Sequence, residues 1–289
     1  MNLKGCCLMI GNIDGDLVCF RCSASVGLEG EEDIAILRTD KLMRDLLYNT
    51  ESTSYNCYLS GRNNFRKKVN PEYKANRKDK EPPRWLQSCR EYLIKEWNAV
   101  VSEGCEADDL LGINQHNTDS VCISLDKDLL MITGWHFRWL DNEKIFVTPD
   151  QGLKAFYKQM LIGDKSDNIF GVRGIGPVKA AGIIDTLDTE EEMINTVFKM
   201  YEEDAERFWM NAQCLWIMQK EKETWQDRVD LLILPGQLQH VLAEKSDFMT
   251  SLMAGISTDQ SMTPQMMSGI PNSGEVMVVS PQILEMTLT

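Results

Sequence analysis

Histidine is nearly missing from this 289-residue chain, with three residues at 116, 136 and 240. A zinc centre needs about four nitrogen or sulfur ligands. The nine cysteines supply one Cys-x-x-Cys, Cys19 to Cys22, with no second pair and no histidine beside it. Zinc is therefore not expected, and the pair reads as two small, half-buried thiols on a helix. The odd count and scattered spacing fit reduced thiols in a cytosolic, cytoplasmic setting. Long apolar runs are lacking as well. Cys6 to Ile10 is far short of the ~20 residues that span a bilayer, so no membrane association is expected. The basic start and cleavage pattern of a secretion signal are not seen. Basic charge is scarce too: 30 Lys and Arg stand against 44 Asp and Glu, a formal net charge of −14. Taken as a total, that excess of acid argues against a polyanionic partner.

The distribution reverses the argument. From Arg62 to Arg90 there are ten Lys/Arg and three Asp/Glu, a local balance of +7. Much of the acid is packed into short motifs, and a second group from Asp185 to Glu206 reads as a solvated helical face. A basic strip beside packed carboxylates suits an enzyme that holds phosphate with one and metal with the other.

The first half alternates β-rich runs with helical patterns. Strands are expected at Cys7 to Ile13, Tyr55 to Leu59, Ala99 to Ser102 and Ser120 to Ser124, with shorter ones near Phe137 to Leu140 and Lys144 to Val147. Helices are expected at Asp16 to Val26, Thr39 to Tyr48, Pro83 to Trp97 and Glu106 to Asn114. That alternation predicts an α/β fold with a parallel sheet covered on both faces. The second half reads as helices: Pro149 to Ile162, Pro177 to Leu187, Glu190 to Met200 and Asp204 to Lys220. Gly171, Gly174 and Gly176 form a turn-rich hinge between two of them. Beyond about Gln237 the periodicity fades into a weakly ordered tail. Its seven Met from Ser246 onward offer an interaction surface as the alternative.

Four acidic clusters carry the chemistry: Asp14-Gly15-Asp16, Glu106-Ala107-Asp108-Asp109, Asp126-Lys127-Asp128 and Asp164-Lys165-Ser166-Asp167. Three of them fall at strand ends or a helix start in the first half. The carboxyl edge of a parallel sheet is where ligands bind, so separate stretches of chain should deliver acids to one place. Two carboxylates about 4 Å apart repel by roughly 4 kcal/mol at an effective dielectric near 20. A gathering of six to eight needs a cation, and an oxygen-only site without histidine suits Mg²⁺ or Mn²⁺. Two such ions can assist phosphodiester hydrolysis. Singly, each cluster has a plainer reading. The 106–109 acids could serve the helix dipole, and Asp126 to Asp128 could be a strand-end turn; it is no EF-hand, since Leu130 stands at position five. The interleaved Asn64-Phe65-Arg66-Lys67-Lys68 and Tyr73-Lys74-Ala75-Asn76-Arg77-Lys78 suit single-stranded nucleic acid, or a solvated basic loop. In Gly171-Val172-Arg173-Gly174-Ile175-Gly176-Pro177-Val178-Lys179 the glycines let backbone N–H groups approach phosphates.

These residues resemble the 5′-nuclease superfamily: phage 5′–3′ exonucleases, the 5′-nuclease domain of bacterial DNA polymerase I, and flap endonucleases. The likeness covers roughly residues 8 to 220. It rests on Asn70 to Arg77, Glu106 to Gly112, Ser124 to Leu130 and Gly163 to Ala181, in family order. The resemblance implies a PIN-like nuclease core over 1–150 with an arch at about 65–84. It implies a helical duplex-binding domain over 151–236 carrying a helix–three-turn–helix motif, and leaves a poorly ordered tail over 237–289. By the same carry-over Asp14, Glu106 and Asp108 face one metal ion, and Asp126, Asp128 and Asp167 a second. Asp109 and Asp164 support them. Lys74, with Arg77, serves the scissile phosphate. Arg66, Tyr73 and Arg77 meet the 5′ strand. Gly171, Val172, Gly174, Ile175, Gly176 and Lys179 meet the duplex, with K⁺ at that loop. The implied activity is metal-dependent cutting of DNA at free 5′ ends or flaps by a monomer in phage or bacterial replication, with the tail free to bind a replication protein. A catalytically inactive DNA-structure binder and a ribonuclease removing RNA primers are the alternatives. One departure stands out: where many relatives carry another metal-site Asp, this chain reads Tyr58-Leu59-Ser60-Gly61-Arg62.

Overall fold

A computed structural model of the protein describes residues 9–28, 30–78, 80–115, 119–256 and 264–266. The central sheet is built from β1 (Met9–Asp14), β2 (Ser52–Leu59), β3 (Val100–Val101), β4 (Ser120–Ile123), β5 (Gly134–Arg138) and β6 (Glu143–Val147), in the order β3-β2-β1-β4-β5-β6. The pairs from β3 through β5 are parallel, and the last, β5 with β6, is an antiparallel hairpin. The chain leaves β1 toward β2 on one side and later returns to β4 on the other. The switch point of the sheet therefore lies between β1 and β4, whose carboxyl ends carry Asp14 and the loop of Asp126. The expected strand start at Cys7 lies outside the described residues.

The two faces of the sheet are covered by different parts of the chain. Ile13, Cys57, Leu59, Val121 and Ile123 bury against α1 (Gly15–Val26), α2 (Glu32–Asn49) and α4 (Leu86–Glu96). Cys19, Cys22 and Cys89 sit in this layer as buried free thiols. On the other face Tyr58 and Cys122 join a cluster that includes α5 (Ala107–Asn114) and runs on into the second half. That half contains α6 (Pro149–Ile162), α7 (Pro177–Ile184), α8 (Glu190–Met200), α9 (Ala205–Leu215), α10 (Trp225–Val229) and α11 (Gly236–Ala254). The four-residue α3 (Arg66–Val69) lies against α9. The apolar core on this face is thus continuous from the sheet through the C-terminal helices.

Several bounds shift by up to about three residues, as at the starts of β2 and β5, and three elements depart further from the sequence expectation. Helix α2 begins at Glu32, seven residues before Thr39, because Ala35 and Thr39 are buried and Thr39 Oγ1 donates to Ala35 O at 2.9 Å. Helix α9 stops at Leu215 where Lys220 was expected. Its last carbonyls turn to a side chain: Arg66 donates to Cys214 O at 2.8 Å and Trp216 O at 2.6 Å. The expectation of a weakly ordered tail from 237 is corrected over the 19-residue helix α11, which buries Leu238, Val241, Leu242, Met249, Leu252 and Met253 against the core. Gln265–Met266 then adds an antiparallel pairing to β2. The rest of the tail lies outside the described residues.

Trp225 tests how firmly the helical half is knit. It is fully buried, meets Phe208 edge-on at 5.5 Å between ring centroids, and donates from Nε1 to Tyr157 Oη at 3.4 Å. Trp225→Ala is expected to cost about 3–5 kcal/mol of unfolding free energy, the range for truncating a buried aromatic. Chemical denaturation followed by far-UV circular dichroism reads that loss.

Candidate active site

Asp14 ends β1 and caps α1: one oxygen accepts from Leu17 N at 3.0 Å, the other from Ser124 Oγ at 2.7 Å. Burial, aided by the fields of Asp16 and Asp126, pushes its carboxyl up to about 7 despite both bonds. Asp108 stands in the first turn of α5. Burial and then the negative fields of Asp14, Asp126 and Glu106 hold it well above the usual carboxylate range. Asp128 is raised to about 7 by burial and by Asp126 and Asp164. Ser124 Oγ, which donates to Asp14, also accepts from Asp126 N at 3.0 Å and so joins the first acidic cluster to the third. Glu106, Asp108, Asp128, Asp164 and Asp167 line one cleft with Tyr73 and Gln159.

Cations enter this cleft from the loop that follows α3. Lys74 Nζ bonds Glu106 Oε1 and stands 3.5 Å from Asp167 Oδ2. Burial acts to raise Glu106, but Lys74 and Arg66 outweigh it and hold Glu106 below its usual range. Burial acts to lower Lys74, and the carboxylates of Glu106 and Asp167 outweigh it, keeping the amine charged. Asp167 stays raised because burial exceeds the help from Lys74. Arg77, half exposed, donates to Asp167 Oδ1 at 2.5 Å. The same loop is stitched to the 165–168 turn by backbone and side-chain bonds: Lys74 N to Asp167 O at 2.9 Å, and Asn76 Nδ2 to Lys165 O at 2.8 Å. Lys74 itself takes a left-handed backbone, φ 57°.

The donor set fits a hard divalent ion. It is made of oxygen alone, and Asp14, Asp108 and Asp128 are driven up by burial first and then by their acidic neighbours, a cost that a cation relieves. As the side chains stand, no three His, Cys, Asp or Glu among the described residues are gathered tightly enough to ligate one ion. Lys74 lies between two of the acids.

Three residues do not sit as the sequence suggested. Arg66 was expected on the 5′ strand, but it is 2% exposed and its fork grips both oxygens of Asp109, at 2.6 and 2.8 Å. Asp109, fully buried and spent on that fork and on the backbone N–H groups of Met218 and Glu106, has no oxygen turned to the cleft for a metal. Tyr73 is 3% exposed, so its ring is not offered to a base. Its hydroxyl lies 2.8 Å from both Glu106 Oε2 and Asp167 Oδ2. The glycine loop forms a separate surface beyond the Asp164 hairpin, β7 (Gly163–Asp164) with β8 (Ile169–Phe170). Val172 and Ile175 pack on the core. Gly174, at φ 80°, is exposed, as is Lys179, which donates to Gly174 O at 3.0 Å.

Position 60 explains the departure from the family pattern. Ser60 Oγ accepts from Ala107 N at 3.0 Å and so supports the start of α5. Its own N–H donates to Asp16 Oδ2 at 2.7 Å, and Asp16 is in turn held by Arg90. Asp16 is therefore committed to that contact and does not replace the missing acid. At Gly61 an added Cβ would lie 1.8 Å from Ser102 O. Gly61→Asp is expected to lose about 1–3 kcal/mol of stability through overpacking and to gain no affinity for Mn²⁺. Thermal unfolding with and without the ion checks both. Sequence reasoning also passed over Ser124 and Gln159. Ser124 was readable as the residue joining β4 to Asp126, whereas Gln159 carries no local signal at all.

The site thus sits on a mainly parallel sheet, at its switch point, with a helical half behind it. Comparison with solved structures agrees on the fold. The bacteriophage T5 D15 protein co-crystallised with metal ions matches with a TM-score of 0.58 at 16% identity, over 85% of this chain and 99% of that one. The T5 D15 flap endonuclease in a complex with DNA and metal ions gives 0.57 at 17%, with the same coverage. In sequence the chain is 30% identical over 156 residues to flap endonuclease Xni of Vibrio vulnificus, covering 47% of this chain and 59% of that protein. It is 35% identical over 147 residues to DNA polymerase I of Borreliella burgdorferi, covering 43% of this chain and 16% of the polymerase. The chain thus spans less than two thirds of the length of these two relatives. No family model matches it. In sequence and in fold the chain is similar to proteins of the 5′-nuclease superfamily.

Proposed function

We propose that the protein is a divalent-metal-dependent 5′–3′ exonuclease and flap endonuclease that hydrolyses DNA phosphodiesters near 5′ ends. Four separate acidic clusters brought to one cleft, with Asp14 tied to the Asp126 turn through Ser124, beside a half-buried Lys74, carry this reading. Asp14, Glu106 and Asp108 would hold one Mg²⁺ or Mn²⁺, and Asp126, Asp128 and Asp167 a second, with Asp164 in support. Bound there, divalent ions supply Lewis acidity toward the phosphodiester and its leaving oxygen. The chain's own residues do the positioning. Lys74 donates to a non-bridging phosphate oxygen. Arg77 holds the strand at the mouth of the cleft. Ser124 keeps Asp14 turned toward its partners.

The duplex would lie on the helical half over 151–236, with the loop from Gly171 to Gly176, and a K⁺ ion, against one of its phosphates as a helix–three-turn–helix motif. The nuclease core over 1–150 would perform the chemistry. Buried thiols throughout the described residues suit work in a reducing cytoplasm. No described helix is long and apolar enough to cross a membrane. The deciding experiment incubates 5′-labelled flap, nicked and blunt duplexes with Mg²⁺ and sizes the products, beside Asp126→Asn and an RNA-ended flap. Short 5′-labelled products from wild type alone support the reading. Tight flap binding with no product over hours identifies a DNA-structure binder, and cleavage confined to the RNA end a ribonuclease.

A further inference from the structure

The nuclease reading gives the buried ion pair Arg66–Asp109 no part in the chemistry, although Arg66 Nη1 stands 4.0 Å from Glu106 Oε2. Burying a guanidinium and a carboxylate is costly unless every donor and acceptor finds a partner, and here the polar ends are well supplied. Arg66 reaches Asp109 through both terminal nitrogens and the carbonyls of Cys214 and Trp216 through Nε and Nη2. Asp109 Oδ1 also accepts from Met218 N at 3.1 Å, and Oδ2 from Glu106 N at 3.0 Å. Three stretches distant in sequence meet at one point: the start of the basic loop, helix α5, and the turn that ends α9. The seam is tight in a second, independent way. A Cβ at Gly112 on α5 would fall 2.2 Å from Met218 O.

We infer that Arg66 and Asp109 are positioning residues: they clamp α5 onto the 214–218 turn of the helical half and thereby fix where Glu106 and Asp108 stand. Asp109 holds the backbone of Glu106 directly, and Asp108 is its neighbour on the same turn. The position of these two acids is thus referenced to the half of the molecule proposed to carry the duplex. In this inference neither member of the pair is a ligand of DNA or metal; both act through Glu106 and Asp108. The inference rests on the metal-nuclease reading above.

The test uses the full chain and the variants Arg66→Lys, which keeps the charge but loses the fork, and Gly112→Ala, which forces the same seam apart while leaving every charge in place. Metal affinity is read from the rise of the unfolding temperature with added Mn²⁺, and flap affinity is read in EDTA across a salt series. Clamping predicts that both variants bind Mn²⁺ about tenfold or more weakly, as loss of an outer support does. Flap affinity in EDTA stays within about twofold of wild type, with the salt slope unchanged. Unaltered Mn²⁺ affinity in folded Arg66→Lys, or in Gly112→Ala should the first variant not fold, overturns the inference. So does a flap affinity that falls with a salt slope about one unit shallower, the mark of a phosphate contact. If wild type itself shows neither an Mn²⁺-dependent rise nor flap cleavage, the nuclease reading fails instead, and the two failures stay distinct.

Discussion

Asp108→Asn is expected to remove cleavage of a 5′-flap duplex by about a thousandfold or more while leaving flap binding in EDTA within a few-fold of wild type. The side chain stands in the first turn of α5, two residues after Glu106 and within the fields of Asp14 and Asp126. It lines the cleft with Glu106, Asp128, Asp164 and Asp167. An amide of the same shape keeps the packing and one acceptor oxygen but removes the negative charge that would hold a divalent ion. Loss of several kcal/mol of transition-state stabilisation corresponds to roughly 10³ in rate. Because burial, and after it the fields of Asp14, Asp126 and Glu106, raises Asp108, the neutral variant should also be at least as stable as wild type without metal, a sign opposite to that of a structural carboxylate. Cleavage within tenfold of wild type at saturating Mg²⁺ would remove Asp108 from the site.

How much of this could be read from the chain depended on whether the cause was local. Helices α6 and α8 begin and end where expected, because Thr148 with Gln151 and Thr189 with Glu192 form capping boxes written within four residues. The acidic clusters were legible for a similar reason: the end of a strand or the start of a helix can be seen in the pattern, and the carboxyl edge follows from parallel topology. Helix α11 was not, since its buried stripe of Leu238, Val241, Leu242 and Met249 becomes stable only against α9. Local propensity is a weak guide where packing decides. Arg66 shows the same limit in the site. Next to Phe65 and two lysines it looks like a strand-gripping cation. Its partners lie 43 and 148 to 150 residues away and draw it inside. Ser60 and Gly61 are the converse: a departure visible in sequence whose meaning, support for α5 and a close approach to Ser102, needed coordinates.

Lys74→Ala is expected to lower kcat on a 5′-flap by about 10²–10³, the usual loss when one preorganised donor to a developing oxyanion is removed, with KM changed by less than about threefold. Three features set this magnitude. The Lys74 side chain is 20% exposed, so its charge acts in a medium poorer in water than the surface. Two carboxylates hold it protonated, so it arrives at the phosphate as a full cation. Its backbone is pinned by the Asp167 carbonyl in a left-handed turn that alanine can also occupy at similar cost, so truncation removes the donor without moving the loop. The loop stays tied to the 165–168 turn by Asn76, Arg77 and Asn168. Lys74→Arg separates charge from position: it restores positive charge on a longer, planar head that cannot fit between Glu106 and Asp167 in the same way. Partial recovery, of about tenfold over Lys74→Ala, is therefore expected. Full recovery would mean that charge alone suffices and that the contact with Glu106 is incidental. A wild-type kcat in Lys74→Ala, measured in single turnover to exclude product release, would take the lysine out of the chemistry and leave the acids to act without it.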